Sequence, residues 1–380
     1  MKTTCRLCDS PDLAAVATMP DLPLVDAYSK TPNAQPLYPC NLQMCRACGH
    51  IQLSEVIPPE LLFQSEYLFR TADYPWLVAH YERYAAEAAQ EFSPYSVLEI
   101  GSNDGTLLKM FEDRGCKVLG VDPSSVPASV ETIRQRFNTQ TCIYIYDYLH
   151  RDEFDLIIAN HVFAHNDDLA EIVRNVKSLL AEDGVFIFET NSGLDLLEAH
   201  LFDIIYHEHM DYHTVTPLLG FFARYGLTLF RVEHNDSKGG TIRGYVCHKD
   251  ARPVEPSVRL AVDLESSVGA THPNIFREFN ERLEQRRKRV LDQLGDGLFV
   301  GYGAAAGGIA TLYHLGLEKR INWLVDDSPR RHGMYAPHCN AIVRSPATLY
   351  PQMGQKIVIL SWRYAEAIKA KHTALQFIVP

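Results

Sequence analysis

Positive charge is scarce in this sequence. Its 36 lysines and arginines are outnumbered by 47 aspartates and glutamates, for a formal net charge of -11. A protein whose main partner is a nucleic-acid backbone clusters Lys and Arg, so nucleic acid is excluded, whereas an anionic small molecule needs only a few placed cations. A membrane-spanning run is also lacking. The longest charge-free stretch, Leu298 to Leu317, is broken by Gly301, Gly303, Gly307, Gly308 and Gly316 and reads as strand, turn and helix. The opening MKTTCRLCDS holds no apolar signal-peptide core, so the expectation is a cytoplasmic protein with no membrane partner. Two site patterns fail as well. GxGxxG is broken by Asn103, and HExxH is broken by Asp211, where the second histidine after His207-Glu208 would have to stand.

At 380 residues and 46% apolar content, the chain is too long for one ordinary core and apolar enough for two or three. Four of its nine cysteines fall in two pairs, Cys5-Arg-Leu-Cys8 and Cys45-Arg-Ala-Cys48. Each CxxC turn lets two thiolates converge on one ion, and together they make a tetrahedral four-thiolate set for zinc, a closed and therefore structural site. Gly49 suits the left-handed residue that often follows such a turn. The proline-rich segment between the pairs (Pro11, Pro20, Pro23, Pro32, Pro36, Pro39) is too poor in apolar pattern to fold alone, so zinc is expected to act as the core of this unit. A thioredoxin-like redox pair would need a strand-helix context that is missing. Cys40 and His50 flank the second pair as alternative ligands, and Cys116, Cys142, Cys247 and Cys339 read as ordinary buried thiols.

From Tyr95 the pattern becomes α/β. Ser96-Val-Leu-Glu-Ile100, the turn Gly101-Ser-Asn-Asp-Gly105, an amphipathic Thr106 to Arg114 and Val118-Leu-Gly-Val121 ending in Asp122 form a βαβ unit. Glycines let the backbone approach a ligand at a helix N-terminus, and an acid at the tip of the second strand suits the two hydroxyls of a ribose. The run E-x-G-x-x-x-G resembles motif I of class I methyltransferases, with Glu99, Gly101 and Gly105 in the motif positions. By that resemblance Asp122 holds the ribose of S-adenosylmethionine, and Ser102, Asn103 and Pro123 line the same site. Phe154 to Ala159 and Gly184 to Glu189 read as the next strands, placing Asn160 and His161 at a carboxyl end, also on the cofactor. Thr228 to Val232 and Thr241 to Val246 read as an antiparallel pair closing the sheet.

Tyr206-His-Glu-His209, followed by Met210-Asp-Tyr-His213, concentrates ionisable groups without a helix pattern or a metal-ligand spacing. Taken with the cysteine pairs, Asn160-His-Val-Phe-Ala-His165, Gly239-Gly-Thr-Ile-Arg243 and Gly301-Tyr-Gly-Ala-Ala-Ala-Gly307, this order resembles the zinc-binding, S-adenosylmethionine-dependent sugar C-methyltransferases of deoxysugar biosynthesis over nearly the whole chain. The resemblance implies an N-terminal zinc module (1–70), a class I methyltransferase Rossmann-like core (71–250) and a connecting helix with a second Rossmann-like domain (251–380). It implies methylation at C3 of a 4-keto sugar carried on a nucleoside diphosphate, usually dTDP. His209 is then the base, Glu208 orients the site or binds a sugar hydroxyl, and Tyr206 and His165 donate to the keto or enolate oxygen. Tyr67, in Gln64-Ser-Glu-Tyr-Leu-Phe-Arg70, matches the family's tyrosine that closes over the sugar. A base beside a ketone explains these residue types, since the adjacent C–H ionises only with a placed base and a stabilised enolate.

One departure stands out. The family commonly carries lysine in the turn where this chain has Gly307, and Arg243, Arg330 or Arg331 are the replacements in view. Rival readings are an O- or N-methyltransferase on a related sugar, which only the product separates, and a non-catalytic member that keeps the fold, which the joint presence of Glu99, Gly101, Asp122, His165 and His209 disfavours. A dehydrogenase would need nicotinamide binding, for which position 103 is wrong.

Overall fold

The computed structural model describes residues 1–32, 34–62, 68–149, 153–351 and 354–380, so Tyr67 lies outside the described residues. Strands β1 (Leu13–Ala17), β2 (Leu42–Cys45) and β3 (Ile51–Leu53) open the chain. The central strands β4 (Ser96–Ile100), β5 (Lys117–Val121), β6 (Thr132–Ile133), β7 (Phe154–Asn160) and β8 (Leu180–Asn191) run parallel. Two-residue β9 (Asp211–Tyr212) leaves them to pair with β3, and β10 (Leu227–Asn235) and β11 (Thr241–His248) return. The central order is β10-β11-β8-β7-β4-β5-β6, with β11 antiparallel to both neighbours. Because the chain leaves β4 for β5 on one side and fills the other side with β7 and β8, a crevice opens at the carboxyl ends beside β4.

Strands such as Phe154-Asp-Leu-Ile-Ile-Ala-Asn160 are apolar on both faces because helices cover both faces. On one side lies the helix Pro75–Phe92, with a proline in its first turn and Leu77, Tyr81, Tyr84, Ala85 and Ala88 on a single inward stripe. On the other lies Leu169–Leu179, whose first turn is capped by the Asp168 carboxylate accepting from the Glu171 amide at 2.8 Å. Its stripe of Leu169, Ile172, Val173, Val176 and Leu179 joins an aromatic set of Phe163, Phe186, Phe188, Phe221 and Phe222. Gly244 faces Phe188 from β11, and a Cβ there would come within 2.4 Å of the ring.

The last sheet is wholly parallel, in the order β14 (Val343–Arg344), β13 (Ile321–Val325), β12 (Phe299–Tyr302), β15 (Lys356–Ile359), β16 (Phe377–Ile378). The helix Ala306–His314 starts three residues before the apolar run from Ile309, which puts Gly307 in its first turn. The connecting helix spans Phe276–Leu294. The expectation that zinc alone serves as the N-terminal core is corrected. Val16, Met19, Leu22, Leu42, Met44 and Ile51 form an apolar core with Phe276 and Phe279 of the connecting helix and with Leu201 and Tyr212. The proline-rich segment thus acquires its core from distant chain, and packing crosses the lines drawn at residues 70 and 250. No helix among the described residues is long and apolar enough to cross a membrane.

Phe188 is fully buried between Phe163, Phe186 and Phe222. Phe188→Ala should lower unfolding stability by about 3–5 kcal/mol, measured by chemical denaturation. A loss below ~1 kcal/mol would contradict this packing.

Candidate active site

The four predicted cysteines converge. Cys5 Sγ lies 3.6 Å from Cys48 Sγ and Cys8 Sγ 3.5 Å from Cys45 Sγ, and all four sulfurs fall within 4.8 Å of one another. A tetrahedron with Zn–S bonds of about 2.3 Å has edges of about 3.8 Å, so the set is already close to zinc geometry. The Leu7 amide donates to Cys5 Sγ at 3.4 Å, and Gly49 takes φ 83°. The hydrogen bond to Cys48, burial and the neighbouring sulfur push the Cys5 thiol far up, a charge problem that a divalent cation removes. The flanking residues have other work. Cys40 is buried in the apolar core, and His50 Nε2 donates to Asp211 Oδ1 at 2.6 Å.

The crevice beside β4 is one wall of a cavity of about 1140 Å³ whose opposite wall is the last sheet. Of the predicted cofactor residues, Glu99, Gly101, Ser102, Asn103, Asp122, Pro123, Asn160 and His161 line it, whereas Gly105 does not. Gly105 instead precedes the helix Thr106–Glu112 at φ 77°, against Ser129 and Val130. Asn103, which broke the glycine fingerprint, does a glycine's conformational work at φ 50°, asparagine being one of the few residues that tolerates this region. Its amide donates to Asp122 Oδ2 at 2.9 Å and its Oδ1 accepts from the Thr71 amide at 3.1 Å. Burial, together with Asp122 and Asp104, pushes the Glu99 carboxyl well above the usual carboxylate range, and its Oε2 is buried without a partner among the described residues. An orphaned acid facing an acid-tipped, glycine-turned crevice fits a ligand bearing an ammonium group and a ribose, as S-adenosylmethionine does.

His161 also has a left-handed backbone, φ 54°, because its amide donates at 2.7 Å to the Glu189 carbonyl on the neighbouring strand. Glu189 is a hub that the sequence reading missed. Burial pushes its carboxyl up, but a hydrogen bond from His80 at 3.0 Å and Arg243 at 2.9 Å outweigh this and hold it below its ordinary value. Arg243 is therefore spent on Glu189 and on the Tyr84 ring at 4.1 Å, and does not reach the cavity. That corrects its candidacy as the replacement cation.

The predicted catalytic group assembles on irregular backbone between the 3-10 turn Phe202–Ile204 and β9. His209 donates through Nδ1–H to the Ile204 carbonyl at 2.7 Å, which leaves the lone pair on Nε2. The Tyr206 hydroxyl donates to that Nε2 at 3.0 Å. His165 stacks on His209 with ring centroids 5.1 Å apart. Burial lowers His209 to about 3, with Lys238 and Arg363 adding to the effect, and holds His165 well below 6.5, so both rings are neutral. Glu208 lines the cavity too, its carboxyl pushed well up by burial and by Asp26. His213 is not part of the group. It stacks on His50 and Phe163 in the interior.

Three contacts hold this loop from outside. The Leu53 amide donates to the Met210 carbonyl at 2.9 Å, Arg6 of the first cysteine turn donates to the Leu53 carbonyl at 3.0 Å, and His314 donates to the Ile205 carbonyl at 2.7 Å. On the far wall, Asp326 at the tip of β13 accepts from the Ala304 amide at 2.6 Å and the Ser328 amide at 2.9 Å, the same arrangement that Asp122 makes at the tip of β5 with Asn103 and Ser124. Arg330 and Arg331 both line the cavity, Arg330 paired with Asp73 and Arg331 buried 3.6 Å from Asp326 and 3.8 Å from Asp26. The cation at the Gly307 turn is a residue that sequence reading passed over. A Cβ on Gly307 would lie 3.3 Å from Asp203 Oδ2 and 3.7 Å from Arg363 Nη2, so an Arg363–Asp203 pair, closed at 2.7 Å, occupies that space.

Three family models match consecutive parts of the chain. They are "Putative zinc binding domain" over residues 5–63, "Methyltransferase domain" over 71–232 and "C-methyltransferase C-terminal domain" over 236–379. Among relatives, the chain is 29% identical to the C-methyltransferase NovU of Streptomyces niveus over 388 residues, covering 96% of this chain and 90% of that protein. It is also 29% identical to a malonyl-[acyl-carrier protein] O-methyltransferase of Acetivibrio thermocellus, but over 28% of this chain and 40% of that one. A solved structure of the PH0226 protein from Pyrococcus horikoshii OT3 aligns with a TM-score of 0.39 at 17% identity, covering 49% of this chain and all of that one. Sheet order, cavity and matches define an S-adenosylmethionine-dependent methyltransferase with a class I α/β core. Over nearly its whole length the chain is similar to a zinc-binding C-methyltransferase, module by module.

Cys45→Ser should reduce bound zinc below one equivalent per chain and lower the melting temperature by roughly 5 °C or more. Because the adjoining β3 carries β9, turnover should fall with it. Unchanged zinc and melting point would remove Cys45 from the site.

Proposed function

We propose that this C-methyltransferase acts at C3 of a 4-keto-deoxysugar carried on a nucleoside diphosphate, with His209 as the base that forms the enolate. The observation that carries the reading is the tautomer of His209. A backbone carbonyl accepts from Nδ1, so a neutral imidazole presents its Nε2 lone pair beside Tyr206 in a cavity shared by the cofactor crevice and the last sheet. S-adenosylmethionine supplies the methyl group as an electrophile. The residues of this chain do the rest. His209 takes the proton at Nε2, and Tyr206, displaced from Nε2 by substrate, donates to the keto oxygen together with His165. Glu208, kept protonated by burial, binds a sugar hydroxyl. Asp326, set like the ribose-holding acid of the first crevice, supports a nucleotide against the last sheet, with Arg330, Arg331 and Arg363 near its phosphates. Tyr67 is proposed to close over the sugar, and lies outside the described residues.

Deuterium exchange at C3 of dTDP-4-keto-6-deoxyglucose in heavy water, with S-adenosylhomocysteine bound, tests the reading. Exchange followed by one carbon-bound methyl on adding S-adenosylmethionine supports it. Methylation without exchange points to oxygen or nitrogen as the acceptor, and neither outcome means another substrate.

His209→Asn should lower exchange and turnover by roughly 1000-fold while cofactor affinity stays near wild type. The pH profile follows from the lowered value. The reactive form is neutral imidazole, present above the folded pKa, so kcat/KM should show no acidic limb near 6.5 and, on the acidic side, fall only toward about 3. An acidic limb at 6 to 7 would assign the base elsewhere.

A further inference from the structure

Among the cations that line the cavity, Lys238 has no part in the reading so far. Lys238 lies in the turn between β10 and β11, with φ 52° and ψ 20°, a left-handed backbone that is unfavourable for lysine. Gly239 and Gly240 beside it also take positive φ, without that cost. The turn is clamped. The Lys238 carbonyl accepts from Arg363 Nη1, and the Ser237 and Thr241 hydroxyls meet at 3.0 Å. The half-buried side chain lines the cavity.

Among the described residues, the Lys238 ammonium has no hydrogen-bond or carboxylate partner, and its recorded contact is the face of Phe69, 5.4 Å from the ring centre. The charged and titratable groups facing it are His161, His165, His209, Glu189 and Arg363. Glu189 is the one anion among them, and His80 and Arg243 already engage it. Of the charges acting on His161 and on His209, Lys238 acts most strongly on both. It therefore lies near both the cofactor crevice and the base. An unpaired cation on a strained backbone carries two costs at one residue, and an anion arriving in the cavity would offset them.

We propose that Lys238 is a catalytic residue whose ammonium binds the oxyanion formed on the substrate carbonyl when His209 takes the adjacent proton. This rests on the enolate reading above. The carbon that reacts must lie between the base and the methyl donor, and its carbonyl oxygen is one carbon away. Tyr206 and His165 are neutral donors, and a cation in a water-poor site stabilises an enolate more strongly than either. The step balances. The C–H pair moves into the carbonyl to leave C=C–O⁻ while the proton rests on His209 Nε2. When the carbon takes the methyl group, the S–C pair stays on sulfur and the carbonyl reforms. Lys238 gains and loses no proton.

Burial lowers Lys238 to about 8, so the ammonium is present below that pH and lost above it. Wild-type C3 exchange of dTDP-4-keto-6-deoxyglucose, with S-adenosylhomocysteine bound, should accordingly fall as pH rises through about 8. Lys238→Met should lower exchange roughly 100-fold and abolish that alkaline limb, with S-adenosylhomocysteine affinity by calorimetry within about twofold of wild type. Lys238→Arg should restore part of the rate, and melting temperatures of both variants verify folding. Weakened cofactor binding with exchange unchanged at saturating cofactor would overturn the proposal and assign the ammonium to the cofactor's carboxylate. Exchange and affinity both unchanged would make Lys238 a turn residue only. Absence of exchange in the wild-type protein would defeat the enolate reading and this role together, a failure seen before any substitution is made.

Discussion

The short pairing of β9 with β3 is the contact on which the candidate active site depends. His209 stands two residues before β9, on backbone with no regular hydrogen bonding of its own, so its ring can be aimed only by what holds the segment at either end. Asp211 is that hold. Burial pushes its carboxyl up, but Arg6, 4.0 Å away in the first cysteine turn, and His50, 2.6 Å away beyond the second, outweigh burial and keep it ionised. A buried carboxylate deprived of either partner would be costly, so the arrangement tolerates little displacement. The zinc site is structural in the sense that it lies away from the chemistry, yet it fixes the two residues that fix the loop.

The cavity shows how burial sets protonation. His161, His165 and His209 are pushed toward the neutral form, and Glu99 and Glu208 toward the protonated form. Much of the predicted catalytic set is thus uncharged before substrate arrives, and the cations that line the cavity, Lys238 and Arg363 among them, act there with less screening than in bulk water. Neutral imidazole is the form that accepts a proton. In the proposed mechanism its low basicity in this state requires bound substrate to stabilise the imidazolium, which an adjacent enolate would do by opposite charge.

Much of the fold could be read along the chain because its signals are local. The strands from Ser96, Phe154, Ile321 and Lys356 are short apolar runs bounded by turns, and the helix faces repeat at helical spacing. Strands β6, β9 and β14 escaped notice because two residues carry no period, and such strands exist only where a neighbour offers a ladder. Asn103 illustrates a different limit. It disqualified a motif written in glycines, although the physical requirement was a left-handed backbone, which asparagine also meets.

The sequence by itself determined the chemistry available: two CxxC turns, an acid-tipped βαβ unit, and Tyr206-Glu208-His209 in one short stretch. Tertiary structure decided which of these groups meet and which cations remain free to act. Arg243 was drawn off to Glu189, Arg363 filled the space beside Gly307 from 56 residues away, and Lys238 was turned inward by a strained turn. A side chain's charge is written in the sequence, but its partner and its exposure to water are properties of the packed chain, and those determine whether it is spent or available.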